Sequence, residues 1–110
     1  MSGPNIVLRT DFGNPRFQRR FKALKPDIRK EAVKAIGMLV LVDVDHPPAR
    51  LHLHPLTGKT VRSALDPARQ VKVYTFHLTS NDAWKASFTL EDGCAYLRYC
   101  GEHDGVDNAP

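Results

Sequence analysis

Three segments in the C-terminal half of this chain alternate apolar and polar residues, the pattern of strands that have one covered face. They are Val71–Thr79, Trp84–Leu90 and Cys94–Tyr99. Ser80-Asn81-Asp82 separates the first pair, and Glu91-Asp92-Gly93 is typical of a hairpin turn between the second pair. Connections this short join antiparallel neighbours. Any fold of the chain therefore has to accommodate an antiparallel meander of these strands.

Two helices are predicted ahead of the meander. Asn14 is a typical N-cap and Pro15 a typical first helical residue, while Pro26 ends the first helix and begins the second. Apolar residues follow at helical spacing: Phe17, Phe21 and Leu24 in the first helix, and Ile28, Ala32, Val33, Ala35, Ile36, Leu39 and Val40 in the second. We expect a helical hairpin on one face of the sheet.

The rest of the chain completes an α+β fold of one domain, residues 1–110. Asn5–Thr10 is predicted as an edge strand, and Arg50–Lys59 and Thr60–Gln70 are predicted as loops. The tail, Gly101–Pro110, is polar, and we expect it to fray beyond Val106. The predicted architecture is an N-terminal strand and a helical hairpin packed on a largely antiparallel four-stranded sheet.

The charge and the cysteines indicate a partner class and a compartment. A formal net charge of +4 and a pI near 9.3 suit a small domain that meets nucleic acid, although such a charge also simply favours solubility. Cys94 and Cys100 lie on one predicted strand, roughly 20 Å apart, which is beyond disulfide reach. Reduced thiols, no signal-peptide pattern and no membrane-spanning run predict a cytoplasmic protein without a membrane partner.

The polar sides of the three strands carry groups suited to RNA cleavage. If the helices cover the apolar sides, the opposite face presents His77, Lys85, Ser87, Tyr96 and Arg98, with His54 and His103 at its rim. Imidazoles can take the 2′-hydroxyl proton and protonate the leaving oxygen, and cations can stabilise the phosphate. An uncovered sheet face is also normally polar without any function. His52 and His54 share a face, but two ligands do not make a metal site, so we expect no metal.

Three segments resemble the RelE/ParE toxin superfamily, and they span most of the chain. Phe17–Leu24 is similar to the family's first helix, Leu51–Gly58 to its Leu-x-Gly loop, and Leu97–Asp104 to its final strand and Gly-x-His ending. The closest pattern is that of YafQ-like toxins. It is matched by His54-Pro55-Leu56-Thr57-Gly58, by His77 followed by Asp82 and Trp84, and by Gly101-Glu102-His103.

The resemblance implies the toxin component of a type II toxin–antitoxin system. Such a toxin is a metal-independent, cofactor-free endoribonuclease that cleaves mRNA in the ribosome, inhibits translation and is neutralised by a cognate antitoxin protein. The catalytic candidates are then His54, His77, Asp82 and His103. The candidates for RNA and phosphate binding are Lys85, Arg98, Tyr96 and Arg62.

Two departures from the family pattern keep alternatives open. Lys85 stands where the family commonly has Arg, and Asp107 stands where an aromatic residue is usual. A ParE-like inhibitor that binds DNA gyrase without catalysis would share the fold, because fold does not determine function. A decayed toxin that only binds its antitoxin is the third reading. Three well-spaced histidines favour the ribonuclease, since gyrase binding needs no acid or base.

Overall fold

The computed structural model describes residues 5–110. Along the chain the elements are β1 (Arg9–Asp11), α1 (Pro15–Ala23), α2 (Pro26–Leu39), a 3₁₀ turn (Ala49–Leu51), β2 (His54–Arg62), β3 (Gln70–His77), β4 (Trp84–Glu91), β5 (Cys94–Glu102) and α3 (His103–Asn108). The fold is α+β, as predicted, and the strands form one sheet.

The sheet is five-stranded and mixed, so the predicted four-stranded sheet is wrong. Its order is β1-β5-β4-β3-β2, with β1 parallel to β5 and all other neighbours antiparallel. The additional strand, β2, takes up most of the predicted loop Arg50–Lys59 and the start of the predicted loop Thr60–Gln70. It is an exposed edge strand with a register shift between Pro55 and Thr60. It therefore buries no apolar side and lacks the alternation by which strands are predicted.

The segment predicted as one edge strand, Asn5–Thr10, pairs with two different parts of the chain. Only Arg9–Asp11 pairs with β5. Val7 instead exchanges backbone hydrogen bonds with the chain that follows α2, donating to Val42 O (2.9 Å) and accepting from Leu41 N (2.6 Å). The N-terminal segment thus ties the end of the helical hairpin to the edge of the sheet.

Both helices begin as predicted. The Asn14 side chain accepts hydrogen bonds from Arg16 N (2.8 Å) and Phe17 N (3.3 Å), which satisfies two free donors at the start of α1. Pro26 is at the first turn of α2. The helices cover one face of the sheet, where the core residues include Phe17, Ala32, Ile36, Leu39, Phe76, Ala86, Phe88 and Leu97. Burial of this apolar surface is the main stabilising contribution to the fold.

The opposite face of the sheet is covered as well, which corrects the expectation of an open face. Thr75, Lys85, Ser87 and Thr89 are almost completely buried there. One covering element is α3, which contacts β4 and β5 and whose Val106 is fully buried. The tail that we expected to fray beyond Val106 is therefore a helix through Asn108.

A register shift in β5 changes the face of the sheet on which Tyr99 lies. Leu97 pairs with Phe88, but Tyr99 pairs with Ser87, so Arg98 is an extra residue opposite the Ser87–Phe88 step. Tyr99 was predicted to share a side with Ala95 and Leu97 under the helices. It lies instead beside Arg16, whose guanidinium is 4.0 Å from the centre of the Tyr99 ring.

Two expectations about the whole chain can be compared with the structure. Cys94 and Cys100 lie on β5, both are buried, and neither forms a disulfide in the described part of the chain, as predicted. Among residues 5–110, no helix is long and apolar enough to cross a membrane.

The turn between β2 and β3 is held by a buried carboxylate. Glu91, at the end of β4, accepts hydrogen bonds from Ser63 Oγ, Ala64 N (2.9 Å) and Thr89 Oγ1 (2.9 Å). Burial raises the pKa of Glu91, but these hydrogen bonds lower it by more, and the net result is a lowered pKa. The charged form of Glu91 therefore stabilises the fold.

We expect Glu91→Gln to lower the free energy of unfolding at pH 7 by about 1–3 kcal/mol, since it removes hydrogen bonds to a charged acceptor. A depressed carboxyl pKa contributes stability above its unfolded value, and that contribution is lost as the pH falls through the folded value. The difference between wild type and variant should therefore shrink below about pH 4.3. Urea unfolding at several pH values measures it. Glu31→Gln, on the exposed side of α2, is the matched control and should show no such difference.

Candidate functional site

Three imidazoles and a carboxylate meet at one end of the sheet. His77 is the last residue of β3, Asp82 lies in the turn before β4, and His103 begins α3 directly after β5. His52, which follows the 3₁₀ turn, is the third imidazole. Adjacent antiparallel strands bring the end of one next to the start of the other, so the chain order itself gathers these residues. We call His52, His77, Asp82 and His103 the histidine cluster.

His77 is the fixed centre of the histidine cluster. Its side chain is buried, and its Nδ1 lies 2.7 Å from Asp82 Oδ1. With Nδ1 donating to the carboxylate, the lone pair is on Nε2. Burial lowers the pKa of His77, and the hydrogen bond that it donates to Asp82 only partly opposes this. A neutral imidazole with a fixed tautomer is the form that a general base requires.

His52 was not a predicted site residue, yet it packs directly on His77. The two rings are stacked, with centroids 4.5 Å apart. Leu51 and Leu53 are buried in the core, so the alternate residues His52 and His54 point away from it. That alternation is the signal in the sequence, and it does not tell which of the two histidines reaches the site. His52 has a left-handed backbone (φ 47°), and it is His52 that turns toward His77.

His54 was predicted as a catalytic residue, and the structure places it beside the histidine cluster. It begins the edge strand β2, paired with Thr75, and its side chain is exposed. Its Nδ1 lies 3.0 Å from the carbonyl oxygen of His52. The His54 ring therefore contacts the backbone of His52, whereas the His52 ring is the one that stacks on His77.

His103 is held next to His77 by β5 and α3. Its backbone N–H donates to Ala83 O (3.1 Å), and its ring meets that of His77 edge to face, with centroids 5.5 Å apart. The side chain is 40% exposed, and its Nδ1 is 3.5 Å from carboxylate oxygens of both Asp104 and Asp107. His103 is thus more accessible to solvent and to a ligand than the buried His77 beside it.

Lys85 and Asp107 form an ion pair behind the histidines. Lys85 Nζ is 2.9 Å from Asp107 Oδ1, with the lysine side chain 2% exposed and the aspartate 33% exposed. Lys85 was expected to bind phosphate, but its charge is already neutralised by α3 in this structure. Lys59, an exposed residue of β2, hydrogen-bonds to the backbone oxygen of Asp107. Sequence reasoning missed Lys59 because it placed this residue in a loop.

The other predicted RNA contacts lie elsewhere on the sheet. Arg98 Nη1 donates to Arg62 O (3.1 Å), and Arg62 pairs with Gln70 at the start of β3. From there to His77 is seven residues of strand, roughly 23 Å. Tyr96 pairs with Thr89, toward the same distant end. The structure therefore brings together His77, Asp82 and His103, and leaves Arg62, Tyr96 and Arg98 as a separate group.

Arg98 lies near charges of both signs. Burial lowers the pKa of its guanidinium, the nearby Arg16 lowers it further, and the carboxylate of Glu91 raises it. Arg16 donates to the backbone oxygens of Ala109 (2.6 Å) and Pro110 (3.4 Å), so it also holds the residues that follow α3. A ligand long enough to extend beyond the histidine cluster could still contact the separate group of Arg62, Tyr96 and Arg98.

The histidine cluster also contains donor atoms suited to a metal. One atom each from His52, His77 and Asp82 lie within 4.8 Å of one another. The pair considered in the sequence, His52 with His54, is not the pair that the structure brings together. Acid–base catalysis and metal binding are thus both compatible with these residues.

No family model, curated protein or solved structure matches this chain.

We expect Asp107→Ala to destabilise the protein by about 2 kcal/mol, because it leaves the buried ammonium of Lys85 without a counter-charge. The value is below that of a fully buried pair, since Asp107 is partly exposed. Chemical denaturation measures the loss. Asp104→Ala, on the same helix with its side chain 98% exposed, is the control and should change little. The double variant Lys85→Met/Asp107→Ala should recover part of the stability, and no recovery would contradict the assigned role of the pair.

Proposed function

We propose that this chain is a RelE/YafQ-like toxin of a type II toxin–antitoxin system, a metal-independent endoribonuclease that cleaves mRNA in the ribosome. The observation that carries the proposal is the contact of two imidazoles in different environments. His77 is buried and oriented by Asp82, while His103 is partly exposed beside it. Cleavage through the 2′-hydroxyl requires two such groups, one as base and one as acid.

In the proposed mechanism, His77 Nε2 accepts the proton of the 2′-hydroxyl. The 2′ oxygen attacks phosphorus, a cyclic phosphate forms, and the bond to the 5′ oxygen breaks. His103 donates a proton to that leaving oxygen. Because the two rings touch edge to face, the phosphate contacts their outer edges and does not enter between them. Asp82 holds His77 in the tautomer that leaves Nε2 free.

The phosphate needs a cation, and Lys59, which is exposed and hydrogen-bonds to the backbone oxygen of Asp107 in α3, is our candidate. Lys85 keeps Asp107, and therefore α3, in position. The more distant group of Arg62, Tyr96 and Arg98 would contact neighbouring nucleotides, with Tyr96 available for stacking on a base. In this proposal the partners are the ribosome, the mRNA and a cognate antitoxin protein, and the RelE-like fold corresponds to β1, the α1–α2 hairpin and the antiparallel strands.

We expect His103→Ala and His77→Gln to reduce mRNA cleavage by about 10²–10⁴-fold, the usual contribution of a general acid or base. The assay is cell-free translation of a defined mRNA, with 5′ ends mapped with and without the purified protein. New cuts at fixed positions within codons, only while ribosomes translate, would support the proposal. His46→Ala, outside the histidine cluster, should cut like wild type. Circular dichroism of each variant excludes unfolding as the cause.

Intact mRNA at micromolar wild-type protein would overturn the ribonuclease proposal. A supercoiling assay then tests the ParE-like alternative, in which the chain inhibits DNA gyrase by binding. If neither mRNA cleavage nor gyrase inhibition is found, the reading that remains is a protein that binds its antitoxin only.

A further inference from the structure

We propose that His52, His77 and Asp82 bind a transition-metal ion of the Zn²⁺ class. Two imidazoles and one carboxylate are a ligand set that zinc, cobalt and nickel favour, whereas magnesium and calcium favour oxygen ligands alone. The three donor atoms already lie within 4.8 Å of one another. His77 and Asp82 come from the connection between β3 and β4, and His52 comes from the segment before β2, so it is the fold that brings His52 to the other two.

Two side chains would have to turn for the site to close around an ion. Zinc–ligand bonds of about 2.0–2.1 Å in tetrahedral geometry place neighbouring donors about 3.3 Å apart. The most widely separated donors would have to approach by up to roughly 1.5 Å. His77 Nδ1 and Asp82 Oδ1, now 2.7 Å apart, would have to separate, and the His52 ring would have to leave its near-parallel stack on His77 so that both nitrogen lone pairs point at one ion. His52 is exposed and its ring is held against His77 by stacking, while the Asp82 side chain is 63% exposed. Two movable ligands can thus close on one fixed ligand.

The backbone around the two movable ligands is fixed. His52 caps the 3₁₀ turn, with its N–H donating to Ala49 O (3.2 Å). The Asp82 turn is bounded by the hydrogen bond from Leu78 N to Trp84 O (2.9 Å). Closure therefore has to come from side-chain rotation, which for His52 means leaving its stack on His77. Three protein ligands leave a fourth tetrahedral position for water or for the neighbouring His103, which makes the site one of the open type.

The test is direct metal binding to the full chain, after treatment with a chelator and its removal by dialysis. We expect Zn²⁺ to bind with one ion per chain in isothermal titration calorimetry, and Co²⁺ to give the visible absorption of tetrahedral coordination. Zn²⁺ should also raise the melting temperature of the wild type, because an ion bound only by the folded state stabilises it.

His52→Ala should weaken Zn²⁺ binding by about 100-fold or more. Loss of a group that only supports a metal ligand typically weakens binding about 10–100-fold, and His52 would be a ligand itself. His52 is exposed, so this variant should keep its fold. His54→Ala is the matched control, two residues away and equally exposed. Asp82→Asn is the second variant and should weaken binding as well. Equal affinity in wild type and His52→Ala, or equal losses in His52→Ala and His54→Ala, would overturn the proposed site.

The metal proposal and the ribonuclease proposal have distinguishable outcomes. Zn²⁺ binding that depends on His52, in a chain that leaves mRNA intact, supports the metal site and contradicts the ribonuclease. mRNA cleavage by a chain that binds no Zn²⁺ supports the ribonuclease and contradicts the metal site.

Discussion

The ammonium of Lys85, buried in a central strand, is the group on which the arrangement of the site depends. A buried charge is strongly unfavourable without a partner, and Asp107 supplies that partner at 2.9 Å. The ion pair therefore fixes α3 against the sheet, and α3 begins at His103. Because β5 leads directly into α3, the ion pair acts together with the hydrogen bond from His103 N to Ala83 O (3.1 Å) to hold His103 beside His77. In this way a stability requirement in the sheet sets the geometry of the histidine cluster.

The two departures from the family pattern acquire a joint physical meaning. Lys85 and Asp107 looked like independent losses, one of a bidentate cation and the other of a stacking aromatic ring. In the structure they neutralise each other. A lysine can be neutralised by one carboxylate, while the planar guanidinium of arginine presents five donors and would leave several unsatisfied in the same place. In the proposed ribonuclease, the phosphate-binding charge would then come from the rim, where Lys59 lies exposed.

The sequence allowed the antiparallel meander, the helical hairpin and the helix starts at Pro15 and Pro26 to be predicted, because each depends on local pattern or local chemistry. The edge strand β2 was not predictable in this way, since it is paired through its backbone and buries almost no side chain. The short helix α3 has no apolar stripe, and only its Val106 is buried. Its helical state depends on packing against the sheet, which a short polar segment does not reveal.

The candidate site was partly predictable for the same reason. The alternation of the predicted strands placed His77 on the polar face and His103 at its rim, whereas Asp82 was a candidate only through the resemblance to YafQ-like toxins. The choice between His52 and His54 was not predictable, because it depends on the left-handed backbone at His52. Tyr99 was placed on the wrong face because one extra residue in β5, Arg98, shifts the alternation, and residue types give no sign of such a shift.

The two proposals place opposite demands on one imidazole. As a base, His77 must keep a free lone pair on Nε2, and its hydrogen bond to Asp82 does that. As a metal ligand, His77 must donate a nitrogen lone pair to the ion, and Asp82 must coordinate the ion instead of accepting a hydrogen bond from His77. Both uses depend on the same carboxylate, and only the metal use depends on His52. His52 is thus the residue that separates the two, since a stacked ring is dispensable for proton transfer by His77 and indispensable for a site with three ligands.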